Sequence, residues 1–145
     1  MRRDRDERGT ILLLTIGFAA VLLLLVAVVV DVSKVVLAKR ALASSADGAA
    51  VAAAQQADRG TIDREGLGER VPLDPAGVED VVAQYELDAR GEQPGLELTG
   101  EVDANDPYLA VVEARRSVTL PFVGWLGILD VDLRAEARAQ APVTP

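Results

Sequence analysis

The stretch Ala38–Gln56 reads AKRALASSADGAAVAAAQQ, with no proline and one glycine. Alanine is the strongest helix former, and a lone glycine costs only about 1 kcal/mol. The stretch therefore predicts a helix. What precedes it decides the fold. Ile11–Val30, ILLLTIGFAAVLLLLVAVVV, is twenty uncharged residues, fifteen of them Leu, Ile, Val or Phe. At ~1.5 Å per residue that is roughly 30 Å of helix, the thickness of a bilayer's hydrocarbon core. Each of the fifteen favours insertion by about 0.3 to 0.6 kcal/mol, and no charge opposes them. Nothing between Val30 and Asp58-Arg59-Gly60 breaks the helix. The reading is one helix from about Thr10 to Ala57, crossing a membrane and continuing outside it as a stalk.

Along the stalk, Leu42, Ala46, Ala49, Ala53 and Ala57 recur at steps of four, three, four and four. That spacing puts small residues on one face, where another helix or a sheet can come close. Ser44, Asp47 and Gln55 lie elsewhere.

The run exceeds the ~7–15 apolar residues of a cleaved signal peptide. The one tidy A-x-A site, Ala41-Leu42-Ala43, lies beyond Asp31, Lys34, Lys39 and Arg40. An uncleaved single-pass anchor is expected. Arg2, Arg3, Arg5 and Arg8 precede the span, and Lys34, Lys39 and Arg40 follow it. The positive-inside bias is therefore slight. The short tail and acidic body favour the N-terminus inside and the C-terminal domain outside.

The chain has 145 residues and a net charge of −8. Residues 1–40 carry seven Lys/Arg against four Asp/Glu, and residues 41–145 carry eight against nineteen. So acidic a body repels phosphates, and a nucleic-acid partner is not expected. There is no cysteine and no histidine. Disulfides, thiolate chemistry and the commonest general base and metal ligand are absent with them. Ser33, Ser44, Ser45 and Ser117 lack a base, since the two lysines, Lys34 and Lys39, sit on the juxtamembrane helix. No enzyme, cofactor or metal site is expected. Asp103, Asn105 and Asp106 in DANDP supply oxygens, but the glycine and distant glutamate of an EF-hand loop are missing, and the composition is that of a turn.

The remainder reads as a small α+β domain. Residues 58–73 form a glycine- and charge-rich loop. DPAGVEDVVAQYELDARG predicts a second helix capped by Asp74, with Pro75 at its first position and Gly91 at its end. Val78, Val81, Val82 and Tyr85 share its apolar face. LELTGEVDA (96–104) and YLAVVEARRSVTL (108–120) predict strands. VDLRAEARAQA (131–141) alternates strictly, with Val131, Leu133, Ala135, Ala137, Ala139 and Ala141 on one side and charge on the other. An alanine-faced strand and an alanine-faced helix are suited to packing on each other. Four segments follow: a basic tail (1–9), a span (10–30), a stalk (31–57) and an acidic outer domain (58–145) of one short helix and about three antiparallel strands. PFVGWLGIL (121–129) is uncharged and too short to span. Phe122, Trp125 and Leu126 make it a candidate patch for a membrane interface or partner subunit, against the plainer reading of a core-filling turn.

The N-terminal half resembles TadE/TadG-like proteins of the tight-adherence (Flp) pilus machinery of bacteria. Arg8-Gly9-Thr10 precedes the span, Asp31 follows it, and the basic pair Lys39-Arg40 leads into an alanine run around Asp47. The resemblance covers Arg8 to Ala54. It implies a pilin-like structural or assembly component, held in the bacterial cytoplasmic membrane among lipid and other Tad proteins and able to form homo-oligomers. Pilin-like precursors carry glycine before the peptidase cut and glutamate five residues after it. Gly9–Thr10 is thus the candidate processing site, but Leu14 stands in the glutamate's place, so the tail is expected to remain. The alternative is a single-pass accessory or sensor subunit of another envelope complex, which a neighbouring transporter or kinase gene would favour.

Overall fold

The computed structural model describes residues 3–56, 71–122, 124 and 130–141. Its elements, in chain order, are helix α1 (Arg3–Ala53), helix α2 (Pro75–Ala89) and strands β1 (Glu97–Val102), β2 (Leu109–Thr119) and β3 (Asp130–Gln140). The strands form one antiparallel sheet in the order β1-β2-β3. The fold is α+β, as the sequence predicts. One bound differs. The helix ends at Ala53, and Ala54 and Gln55 turn. Alanine propensity runs on past that point, but the Gln56 carbonyl must accept from the Asp74 amide as the chain returns, and tertiary bonding sets the end. Ala57 lies outside the described residues.

α1 is a single helix about 75 Å long by its rise per residue. It has two environments. From Ile11 to Val30 its large apolar side chains are exposed, as at Leu23 (71%). Beyond Lys39 one face is covered: Leu42, Ala46, Ala49 and Ala53 are each fully buried. They lie on the sheet's inner face, mainly across β3 and β2. That face is itself small. The register pairs Ala110 with Ala139, Val112 with Ala137 and Ala114 with Ala135. With little side-chain bulk on either side, the helix backbone can sit close to the strands.

α2 covers β1 and also touches α1. The Asp74 side chain accepts from the Ala76 amide and Pro75 opens the helix, the pairing favoured at helix starts. Val78 and Val82 are buried, and Val81 and Tyr85 are half-buried beside them. Two glycines make room for this helix. A Cβ at Gly48 would overlap the Tyr85 hydroxyl, and one at Gly100 would lie 3.0 Å from Val82 Cβ. DANDP is a turn held by its own side chains. Asp103 accepts from the Asn105 amide and Asp106 from the Tyr108 amide, the local bonds that make such residues favour turns.

The close fit predicts low tolerance for bulk. Ala49→Leu and Gly100→Ala should each lower stability by about 1–3 kcal/mol through overpacking. Gly48→Ala should cost less, because the Tyr85 tip can swing and helix propensity improves. Thermal unfolding of the detergent-solubilised variants, followed by circular dichroism, reads the order.

Candidate functional site

The apolar run ends at Asp31, where the C-terminal α+β domain is bonded to the helix. Asp31 is only 3% exposed. A carboxylate is costly to bury unless it is hydrogen-bonded. One of its oxygens accepts from the Phe122 amide at 3.3 Å. One turn further along, Lys34 Nζ donates to the Thr119 carbonyl at 2.9 Å. These two bonds pin the end of β2 to the foot of the stalk. Beside them lies a cleft of about 230 Å³, lined by Val28, Asp31, Val32, Val35, Val36 and Leu120. Apolar surface thus continues past the first charge, with Val32 56% exposed.

Hydroxyls within the apolar segment and at its rim bond inside the helix. Thr15 donates to the Ile11 carbonyl and Ser33 to the Val29 carbonyl, the i−4 bonding that lets a hydroxyl sit in lipid.

The other residues of the TadE/TadG-like pattern do not gather here. Arg8 and Gly9 lie in the first turns of α1, where only the backbone is described, and Thr10 is exposed on the same unbroken helix. Lys39, Arg40 and Asp47 are exposed on the stalk. Phe122 is 48% exposed. Trp125 and Leu126 lie outside the described residues.

Several contacts had no periodic signal in the sequence. Ser45 is buried and accepts from Gln93 Nε2 at 2.7 Å, tying the turn before β1 to the stalk. Glu86 on α2 accepts from the Leu98 amide at 2.8 Å and pairs with Arg90 at 2.6 Å. The Leu98 amide holds the Glu86 carboxyl below its ordinary value, Arg90 adds to this, and desolvation opposes both. Buried Gln93 Oε1 and Arg116 Nε have no hydrogen-bond partner among the described residues.

The sheet's outer face is charged and solvated. Glu113 pairs with Arg115 and Glu136 with Arg138. The Arg115 hydrogen bond lowers the Glu113 carboxyl. Among the described residues no cluster of acidic side chains suits a metal ion.

Two variants test these bonds. Asp31→Ala should cost about 1–2 kcal/mol by orphaning the Phe122 amide, while Asp31→Asn, which keeps an acceptor, should lose less. Glu86 has a lower pKa folded than unfolded, so its stabilisation is complete above the ordinary carboxylate value of 4.5. It is lost as pH falls through the lowered folded value. Glu86→Gln should therefore flatten the acid limb of a stability–pH profile measured by denaturant unfolding.

Comparison with known proteins bears on the helix. Residues 9–56 match a family model described as putative Flp pilus-assembly TadE/G-like. No curated protein and no solved structure matches the chain. The match takes in 48 of the 145 residues, the apolar segment and the alanine-rich stalk together. Over those residues the chain is similar to that family.

Proposed function

We propose that this chain is a membrane-anchored, pilin-like structural or assembly subunit of a Flp/Tad-type surface pilus. The observation that carries the reading is the coincidence of the family match, residues 9–56, with a physically single object. That object is a helix long and apolar enough to cross a membrane, whose continuation forms the spine of the folded domain. The function is mechanical: to hold a small acidic domain at a fixed height above a bilayer and present it to other pilus components. The absence of histidine and cysteine from the whole chain suits a non-enzymatic role.

The arginine tail belongs to this reading. Cleavage after Gly9 would place a charged amine at Thr10, on the edge of an apolar segment. No acidic residue between Thr10 and Val30 could pair with it inside a filament. A buried unpaired charge is costly. The subunit is therefore an anchored accessory that keeps its tail on the cytoplasmic side. Its partners are membrane lipid, other Tad proteins and further copies of itself.

Carbonate washing should leave the protein with the membrane fraction. Affinity capture in mild detergent should bring down pilus ATPase or platform proteins. Peptide mapping of the native protein should recover a peptide crossing Gly9–Thr10. Release into the carbonate supernatant would end the anchor reading. A fragment beginning at Thr10 would move it toward a polymerising pilin. Capture of transporter or kinase subunits instead would favour a sensor role.

A further inference from the structure

We infer that the domain touches the membrane a second time. The segment just after β2, Leu120 to Phe122, rests with the adjoining Val28, Val32, Val35 and Val36 in the interfacial layer of the bilayer, on lipid rather than on protein. The inference rests on the anchor reading and adds a contact that reading does not require.

Height along the helix carries the argument. Ile11–Val30 spans roughly 30 Å and fills the hydrocarbon core, so Asp31 stands at its edge. The headgroup layer above is about 5–7 Å thick on each side. Lys34 is three residues further on, about 4.5 Å higher. The Phe122 amide is bonded to Asp31 and the Thr119 carbonyl to Lys34. Two bonds therefore tie the chain at and just after the end of β2 to helix residues at the level of the headgroup layer.

The chemistry at that height fits lipid. Phe122 is exposed, and the cleft beside Leu120 is almost wholly apolar. Val28, Val32 and Val36, which flank it, are each at least 43% exposed and continue the surface of the span without a break. Lys34, exposed at the same level and bonded to the Thr119 carbonyl, is a residue type that tolerates such an interface. The net −11 of residues 41–145 argues against a headgroup site for the rest of the domain. The contact is a single foot.

The chain has no cysteine, so single nitroxide labels can be placed cleanly. The full chain carrying Phe122→Cys would be labelled in vesicles of phosphatidylethanolamine and phosphatidylglycerol. Leu23→Cys serves as the in-membrane control and Val51→Cys as the aqueous one. Collisions with oxygen report lipid, and collisions with a water-soluble nickel chelate report water. The Phe122 label should favour oxygen over nickel several-fold more than the Val51 label does. A Phe122 label open to nickel would overturn the inference, and so would one shielded from both reagents, which would mean a protein cover. If the Leu23 label also meets nickel, the anchor reading has failed. If Leu23 reports lipid and Phe122 does not, only the second contact has failed.

Discussion

The structure depends on how closely a helix can approach a sheet when both present alanine. Leu42 is the one large side chain among the four fully buried positions of the α1 face. Across from it, Ala110, Ala114, Ala135, Ala137 and Ala139 line the inner side of β2 and β3. With side chains this small on both faces there is little slack between the two backbones, so added methylenes have little room. A core of this kind buries less apolar area than one of leucines. It gains in return a fixed spacing and a fixed register. That matters because the helix is not the domain's own. It is the outward continuation of the segment suited to the membrane, and any rocking of the domain must either bend a continuous helix or open the alanine seam.

Much of this was legible in the sequence, because its determinants are local or periodic. The strict alternation of 131–141 marks β3 and assigns its faces. Asp74-Pro75 marks the start of α2, and DANDP marks a turn through side-chain bonds to its own backbone. The apolar run and the alanine run each announce helix by composition. What was not legible joins residues far apart in the chain. The Asp31–Phe122, Lys34–Thr119, Ser45–Gln93 and Glu86–Leu98 bonds have no spacing rule, since each partner meets the other only through tertiary folding. Asp31 reads in sequence only as the first charge after the span, and nothing local announces that it is buried. The end of α1 at Ala53 was missed for the same reason: the Gln56 carbonyl is claimed by the Asp74 amide across a long loop.

These long-range bonds lie at both ends of the stalk. Asp31 and Lys34 hold the foot of the sheet. Ser45 and the Tyr85–Gly48 contact hold its middle. The Gln56–Asp74 bond and the Ala141 amide donating to Tyr108 close the far end. The outer domain is thus clasped along the exposed part of the helix, and displacement of one should be felt by the other. The position and rotation of the domain are thereby set by the helix. The charged outer face of the sheet, with its alternating Glu113–Arg115 and Glu136–Arg138 pairs, is left pointing away from the helix.

Hydrogen exchange on the full chain in detergent or nanodiscs examines that rigidity most directly. If the stalk is the spine of the outer domain, amides from Ala38 to Ala53 should exchange only with global unfolding, at the same slow rate as those of β2 and β3. Rapid exchange along the alanine run, with the sheet still protected, would show a helix that merely tethers the domain, and would contradict the account.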